Sequence, residues 1–333
     1  MIVEARAPNR ILDLGGWTDT HFAGSGKVLN LAVSLFARAT LRTRPEPGIE
    51  IDAVDYGDRF QVDDIIKARY GTQHDLLLAA AKQMPLATGL SITLSADVPP
   101  GCGTGSSAAV SVALLLGLAR LAQKALSAGE LARLAHRLET GELKLESGVQ
   151  DQIAASFGGI NFVEIDHYPH FLVSPLRLSA DLVFELESNL LLVYEGKGHL
   201  SSEVHKSVIE RLKAGDREMR EILAELAECA LRGKDALVLN RLDRFVDAVA
   251  ANHQLQKRLH PQITTPAFEQ IEKTARSLGA LAVKINGAGG GGSMTIISSP
   301  GSRAHIEREL KNQGFRVLNF TLADQPASAW TSG

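Results

Sequence analysis

The stretch PPGCGTGSSAAVSVALL (residues 99–115) places three glycines at alternate positions directly before an apolar helical pattern. Gly101, Gly103 and Gly105 cost backbone entropy, so such a cluster usually marks a conformation or a close approach that other residues cannot adopt. Free amides and the dipole at a helix N-terminus form an anion site, and Ser106 and Ser107 add hydroxyls there. The stretch therefore predicts a phosphate-binding loop that opens a helix, with a serine-capped tight turn as the alternative.

Two further glycine-containing stretches fail the familiar nucleotide motifs. AGSGKV (residues 23–28) has Val28 where a Walker A loop needs Ser or Thr, and His21 where it needs its first glycine. GAGGGG (residues 287–292) fits the letters of a dinucleotide fingerprint, but the strand pattern SMTIIS follows where a helix is required. We therefore interpret the first as a turn and the second as a backbone that approaches a ligand or a neighbouring loop.

Four charged residues are candidates for chemistry. Asp151 falls in the first turn of a short predicted helix that begins near Val149, where the helix dipole keeps a carboxylate ionised. Glu139 lies twelve residues earlier, near the end of the preceding helix. By themselves, these two acids are better explained without a function, Asp151 as a surface residue that complements the helix dipole and Glu139 as part of a solvated helix face. In APNRILDLGGWTDT (residues 7–20), Arg10 is either a structural ion-pair partner or a cation beside a transferring phosphate, and Asp19 can accept sugar hydroxyls.

Composition bounds the class of protein. The chain has 333 residues, which is large for one hydrophobic core, so we expect two domains, at residues 1–170 and 171–333. With 35 basic and 38 acidic residues, the formal charge of -3 gives no indication of a nucleic-acid partner. Two cysteines form neither a disulfide framework nor a zinc spacing, so we expect a cytoplasmic location. The longest apolar run, residues 108–122, is too short to span a bilayer, and we expect no membrane association.

The element pattern is mixed. Residues 106–124 carry a helix pattern, and Ser127 with Glu130 forms a predicted capping box for the next helix. Residues 182–195 read as a strand, residues 281–286 and 293–298 read as strands on either side of GAGGGG, and residues 328–333 are expected to be disordered. This order of helices and strands predicts an α+β fold.

Taken together, these motifs resemble those of the GHMP kinase family, which includes galactokinase, homoserine kinase, mevalonate kinase and phosphomevalonate kinase. PPGCGTGSSAA resembles the family's phosphate loop, with Thr104 where leucine is common, and KINGAGGGGS resembles its C-terminal glycine motif. LGGWTDT, GVQDQIAASFGGINF and the stretch from HPQITTPAF to the glycine motif resemble the branch of D-glycero-D-manno-heptose kinases and the kinase domain of fucokinases. The resemblance covers nearly the whole chain.

The resemblance implies a two-domain architecture and a set of site residues. It implies an N-terminal domain like ribosomal protein S5 domain 2, a ferredoxin-like C-terminal domain and an active site between them. By motif, Asp151 matches the catalytic base, Arg10 the arginine near the transferred phosphate, and Ser107 and Glu139 the magnesium ligands. The ATP phosphates are expected on the loop residues Pro100, Gly101, Cys102, Gly103, Thr104, Gly105, Ser106, Ser107 and Ala108. Substrate contacts are expected from Asp19 with its neighbours Gly16, Trp17, Thr18 and His21, and from Gly289 and Gly290 of the C-terminal motif.

The function implied is an ATP- and Mg²⁺-dependent kinase that phosphorylates a hydroxyl, the anomeric one by preference, of a sugar or sugar phosphate. A heptose 7-phosphate and a 6-deoxyhexose lead the candidates. Galactose comes third, because Gly16 and Trp17 stand where galactokinases have a Glu-His pair. A binding relative without catalysis and an ATP-driven decarboxylase are the alternatives; the presence of Asp151, Glu139 and Ser107 argues against the first.

Several features are left open by the sequence. A homodimer is compatible with it. Lys197, His199 and His205 either reach a phosphate or are plain surface residues.

Overall fold

The computed structural model describes residues 1–72, 74–84, 86, 89–197 and 201–332. Its strands are β1 (Ile2–Leu14), β2 (Gly26–Arg44), β3 (Ile49–Ala53), β4 (Asp58–Val62), β5 (Gly89–Ala96), β6 (Ile160–His167), β7 (His170–Leu176), β8 (Leu190–Tyr194), β9 (Ala280–Ile285), β10 (Ser293–Ser298), β11 (Arg316–Leu318) and β12 (Ser328–Ser332). Its helices are α1 (Asp75–Gln83), α2 (Ser106–Leu121), α3 (Ala128–Arg137), α4 (Gln150–Phe157), α5 (Ala180–Asn189), α6 (Ser201–Lys213), α7 (Arg217–Val238), α8 (Leu242–Leu259), α9 (Pro266–Ser277) and α10 (Arg303–Asn312). Helices and strands alternate irregularly, which confirms the predicted α+β class.

Two sheets organise the chain. The first has the strand order β12-β1-β2-β5-β3-β4, and the β6–β7 hairpin joins it through β2. The long strand β2 makes this possible, because its first half pairs with β6 and its second half with β5. The second sheet has the order β11-β8-β10-β9, and all its pairs are antiparallel.

The two sheets do not separate at one point of the sequence. The predicted boundary between residues 170 and 171 falls within the β6–β7 hairpin, whose two strands both belong to the first sheet. The last strand, β12, also returns to this sheet and pairs with β1 from Ile2↔Ser332 to Arg6↔Ser328. The expected disorder of residues 328–333 is therefore wrong for 328–332, because β12 completes the open edge of β1.

Residues 182–195 differ from the predicted strand. Most of this stretch is helix α5, which begins after Ser179, and the Ser179 side chain accepts a hydrogen bond from the Leu182 amide. Only Leu190–Tyr194 is a strand, β8. The capping bond supplies a helix start that the apolar run does not reveal.

Three segments position the candidate site. The loop between β5 and α2 contains the predicted phosphate loop, β1 brings residues 10–13 beside it, and the β9–β10 loop (residues 286–292) approaches from the second sheet. Behind them, a single apolar cluster contains side chains of β1 and β2 together with side chains of α5, β8, α8 and β9. The two halves are thus held together by a shared core. No helix among the described residues has the length and apolar character needed to cross a bilayer.

Candidate active site

A cavity of about 610 Å³ lies where the phosphate loop, the end of β1 and the start of α4 meet. Two groups of side chains line it beside the phosphate loop. The apolar wall consists of Leu76, Leu77, Leu94, Val98 and Val110. The second group, called the polar wall after its two carboxylates, consists of Asp19 and Glu146 together with the rings of Trp17, Phe22 and His205.

The phosphate loop owes its shape to its glycines. Gly101, Gly103 and Gly105 all adopt left-handed backbone conformations, with φ of 71°, 76° and 72°. A Cβ on Gly103 would lie 2.8 Å from the backbone oxygen of Asn286, and one on Gly105 would lie 3.1 Å from Cγ of Asp151. Helix α2 begins at this loop with no side-chain cap, so its first amides are available to an anion.

Arg10 and Asp151 form the charged centre of the cavity. Nε of Arg10 donates to Oδ1 of Asp151 over 2.8 Å, and another guanidinium nitrogen donates to the backbone oxygen of Gly103. The Arg10 side chain is 4% exposed and that of Asp151 is 30% exposed. Burial by itself lowers the pKa of Arg10, but the nearby carboxylates of Asp151 and Asp13 raise it above its ordinary value. The cavity therefore contains a permanently charged guanidinium against an accessible carboxylate.

Asp19 lies on the polar wall next to the start of α4. Its Oδ2 accepts a hydrogen bond from the Gln150 amide at 3.0 Å. A Cβ on Gly148 would lie 2.0 Å from the same oxygen, so the close approach of this backbone requires glycine. Burial raises the pKa of Asp19 to about 6, and the Gln150 bond opposes that shift. The carboxyl is held in place with acceptor capacity left for a ligand.

Glu139 lies behind the cavity wall. It belongs to one turn of π-helix, Leu138–Glu142, that continues α3, and such turns occur often at functional sites. Burial raises its pKa to about 7, while Ser147 and Gln152 beside it lower the value. Its Oε1 is buried and has no hydrogen-bond partner within the described residues. An orphaned carboxylate oxygen of this kind fits a cation ligand.

The site's chemistry fits a magnesium ion whose ligands come partly from the protein and partly from the substrate phosphates. The described residues contain no group of three or more His, Cys, Asp or Glu side chains that could hold a metal unaided. Mg²⁺ usually takes one or two protein oxygens and completes its shell with substrate phosphates and water. Ser107, on the cavity wall, and the orphaned Glu139 would supply such a minimal set.

The structure brings together most, but not all, of the predicted phosphate-loop residues. Pro100, Gly101, Gly103, Gly105, Ser106 and Ser107 line the cavity. Cys102, Thr104 and Ala108 are buried away from it, and Thr104 Oγ1 donates to Asn9 Oδ1 at 3.3 Å. Cys102 and Thr104, which alternate with the three glycines, are thus directed into the core.

The predicted sugar contacts divide in the same way. Asp19 and Trp17 line the cavity, but Thr18 is buried and its hydroxyl donates to Gly15 O at 2.7 Å. Gly16 is placed against Asp13, and His21 pairs with Glu146 at 2.9 Å. Neither Gly16 nor His21 is among the residues that line the cavity.

The C-terminal glycine motif meets the cavity at its first positions. Gly287 and Ala288 line the wall, whereas Gly289 and Gly290 pack against Ile263 and Gln262. The tight contact at Gly289, 2.7 Å from Ile263 Cγ2 for an added Cβ, explains its glycine without a ligand. Gly289 and Gly290 are therefore not on the wall where the sequence predicted substrate contacts.

The three basic residues left open by the sequence also separate. His205 lines the cavity and its ring meets that of Trp17 edge-on at 4.7 Å between centroids. Lys197 is exposed and is not part of the wall. His199 lies outside the described residues.

Sequence reasoning did not assign several cavity residues. Asp13, Glu146 and Ser147 all line the wall, although none of the three was named as a site residue from the sequence. The apolar wall was also missed, since Leu76 and Leu94 carry no local mark that distinguishes them from core residues. The sequence offered one usable signal for Asp13, because it lies close to Arg10 on the same strand.

Comparison with family models identifies the chain. The model described as GHMP kinases N terminal domain matches residues 72–159, and the one described as GHMP kinases C terminal matches residues 234–316. The two matches together cover about half of the chain and include both glycine motifs. The chain belongs to the GHMP kinase family. The family resemblance expected from the sequence is confirmed.

Curated relatives and solved structures agree with this assignment. The chain is 26% identical to the D-glycero-alpha-D-manno-heptose 7-phosphate kinase of Campylobacter jejuni, over 98% of each chain. It is 28% identical to the bifunctional fucokinase/GDP-fucose pyrophosphorylase of Arabidopsis thaliana, over 91% of this chain and 30% of the plant protein. The crystal structure of a D-glycero-D-manno-heptose 1-phosphate kinase from Bacteriodes thetaiotaomicron superposes with a TM-score of 0.81 at 25% identity, over 99% of both chains. The two-domain GHMP kinase fold is thereby confirmed.

Proposed function

We propose that the protein is an ATP-dependent kinase that transfers the γ-phosphoryl group to a hydroxyl of a sugar or sugar phosphate. The observation that supports this most strongly is the Arg10–Asp151 pair, which lies against a bare glycine loop at a helix N-terminus and shares its cavity with Asp19. In this proposal a phosphate-binding loop, a cation, a carboxylate base and a carboxylate that accepts hydrogen bonds from sugar hydroxyls line one cavity. The GHMP kinase family and the sugar-kinase relatives support the same reading.

The nucleotide is proposed to lie along the phosphate loop. The amides from Gly101 to Ser107 would bind its phosphates, and the apolar wall would take the base. Ser107 and Glu139 would hold Mg²⁺ together with the phosphate oxygens. When bound, the metal ion neutralises charge on the phosphates during transfer.

The sugar is proposed to bind at the polar wall. The Asp19 carboxylate would accept hydrogen bonds from sugar hydroxyls, because the Gln150 amide occupies only part of its acceptor capacity. The rings of Trp17, Phe22 and His205 supply the apolar surface on which a sugar ring packs. In this proposal the acceptor hydroxyl lies between the polar wall and Asp151.

Transfer then needs little covalent chemistry from the protein. The acceptor oxygen forms a bond to the γ-phosphorus, the bond to the β-bridging oxygen breaks, and ADP leaves. Asp151 accepts the proton of the hydroxyl, and Arg10 stabilises charge on the transferring group. Because the transition state is loose, positioning and charge matter more than strong basicity, and an ion-paired Asp151 is sufficient.

For the acceptor, we propose the anomeric hydroxyl of a heptose 7-phosphate or of a 6-deoxyhexose, with a free hexose such as galactose as the third candidate. Asp19 and Glu146 put negative charge on the polar wall, which favours the uncharged 6-deoxyhexose. The Campylobacter relative, in contrast, is named for heptose 7-phosphate. We also propose a cytoplasmic location, because an ATP-dependent kinase needs a supply of ATP.

The test is ADP release by the purified enzyme with Mg-ATP across a substrate panel. The panel contains D-glycero-D-manno-heptose and its 7-phosphate, L-fucose, D-galactose, mevalonate and homoserine. Turnover with a sugar, and a ³¹P signal of an anomeric phosphate, are the expected results. Turnover with mevalonate or homoserine alone would overturn the proposal.

A further inference from the structure

The second sheet sends one lysine into the interior beside the cavity. Lys284 on β9 is 1% exposed. Its Nζ donates to Asp13 Oδ1 at 3.2 Å, to Gln256 Oε1 at 2.8 Å and to the Ile285 backbone oxygen at 2.7 Å. All three ammonium hydrogens therefore have acceptors. A buried ammonium is costly unless it is paired and hydrogen-bonded, and Lys284 meets both conditions.

Asp13 connects this lysine to the active site. It lies on β1, is 1% exposed, and its two oxygens also accept from the Gly287 amide at 3.3 and 3.2 Å. The same carboxylate is 3.8 Å from a guanidinium nitrogen of Arg10. Asp13 thus joins a strand of the first sheet to the lysine and the glycine motif of the second.

Arg10 lies between two carboxylates at unequal distances. Its Nε is 2.8 Å from Asp151, whereas the nearest approach to Asp13 is 3.8 Å. Lys284 and the Gly287 amide both donate to Asp13 Oδ1, the same oxygen that lies 3.8 Å from Arg10. Lys284 and Gly287 thus take the hydrogen-bond distances to Asp13, whereas Arg10 donates to Asp151 and to the Gly103 backbone oxygen.

We propose that Lys284 is a positioning residue for phosphoryl transfer: it neutralises Asp13 and so keeps Arg10 on Asp151 and the transferring phosphate. The inference rests on the proposed function for its catalytic readout. Without the ammonium, Asp13 is a buried carboxylate whose remaining charged neighbour among the described residues is Arg10. An unpaired buried carboxylate attracts such a neighbour strongly, and the guanidinium moves toward it.

The test compares Lys284→Met with the double variant Asp13→Asn/Lys284→Met. Lys284→Met is expected to lower kcat by about 10- to 100-fold and to change the KM for sugar and ATP by less than about threefold, because misplaced catalytic groups affect the transition state. The double variant removes both charges and is expected to recover at least about tenfold of that loss. The exposed Lys273→Met is the matched control and is expected to retain wild-type kcat.

Two outcomes contradict the inference. One is a kcat for Lys284→Met within about threefold of wild type, and the other is a folded double variant that is no faster than the single one. If Lys284→Met does not fold, the double variant decides alone: a kcat within about tenfold of wild type supports the inference, and a lower kcat overturns it.

A binding readout separates this inference from the proposed function. Arg10 is expected to contact the γ-phosphate, so calorimetry should show that Lys284→Met loses part of the preference for Mg-ATP over Mg-ADP, and that the double variant regains it. This comparison needs no sugar. If the wild-type protein phosphorylates no sugar and the preference still changes, the proposed function fails while the role of Lys284 stands; an unchanged preference contradicts that role.

Discussion

Two glycines of the phosphate loop are required for two reasons each. Gly103 and Gly105 adopt left-handed backbone conformations, which cost other residues about 1–2 kcal/mol. Each also has a neighbour inside normal contact distance of an added Cβ, the Asn286 backbone for Gly103 and the Asp151 carboxyl for Gly105. A substitution here therefore disturbs both the fold and the catalytic carboxylate.

The change Gly105→Ala separates these two effects. We expect a loss of about 1–2 kcal/mol in the free energy of unfolding from the backbone strain. We also expect kcat to fall at least about tenfold, because the methyl group displaces Asp151. Urea denaturation and ADP release measure the two quantities.

Gly314→Ala is the matched control. Gly314 has φ of 89° and no atom within 4 Å of an added Cβ. The control should lose comparable stability and keep wild-type kcat. Equal losses of kcat in both variants would show that strain alone, without the contact to Asp151, explains the effect.

The raised pKa of Asp19 predicts how kcat/KM for the sugar changes at acid pH. Its pKa of about 6 means that the carboxyl gains a proton as the pH falls through that value and then loses acceptor capacity for sugar hydroxyls. We expect kcat/KM for the sugar to decline below about pH 6, because this ratio reports groups of the free enzyme. Asp19→Asn should lower kcat/KM at pH 8 and abolish the decline. A decline that persists unchanged in Asp19→Asn would assign it to another group, such as Glu139.

At the residue scale, the sequence predicted only some of the residues that meet in the cavity. Arg10, Asp19 and Asp151 were all named from motifs, and the structure places all three in one cavity. Gly289 and Gly290 were named from the same kind of motif, yet they pack against Ile263 and Gln262. Which glycines of a run face a cavity depends on the neighbouring helix and loop, and the run itself contains no information about them.

At the element scale, side-chain caps mark where α3 and α5 begin. The capping box of α3 is present as predicted: Ser127 accepts from the Glu130 amide, and Glu130 accepts from the Ser127 amide. The start of α5 at Ser179 was missed, because the alternating apolar residues of 182–195 resemble a strand. Helix α5 and strand β8 both contribute side chains to the shared apolar cluster, so both segments are apolar in sequence.

Ser127→Ala tests whether the α3 cap is structural only. Loss of the side-chain bond should lower the free energy of unfolding by about 1 kcal/mol. Because Ser127 lies outside the cavity, kcat should remain unchanged. Chemical denaturation and steady-state kinetics at saturating substrate provide the measurements. A large decrease in kcat would mean that loss of the cap at the start of α3 also displaces Glu139, which lies just after the end of that helix.

At the scale of the whole molecule, the chain has two sheets but one connected interior. The shared apolar cluster contains Leu14 and Leu29 of the first sheet beside Phe245 and Ala282 of the second half. Strand β12 returns the chain to β1 after the second sheet is complete. A domain division drawn from length could not predict this return, because pairing of distant strands leaves no local pattern.

This interlocking predicts a single unfolding transition. The chain has two tryptophans, so Trp330→Phe leaves Trp17, which packs with the second half, as the one tryptophan reporter. Fluorescence of Trp17 and far-UV circular dichroism should give the same midpoint in urea. Two separated transitions would show that the halves unfold independently.

The most direct measurement of the central claim is sugar-dependent ADP release by wild-type protein and by Asp151→Asn, with Asp166→Asn as an exposed control. The account predicts that Asp151→Asn lowers kcat by about 10²–10⁴-fold, as expected for loss of a general base, and that the control does not. Mg-ATP binding measured by calorimetry should survive the change. A kcat for Asp151→Asn within about threefold of wild type would contradict the account, since no other carboxylate is paired with Arg10 at hydrogen-bond distance in the described residues.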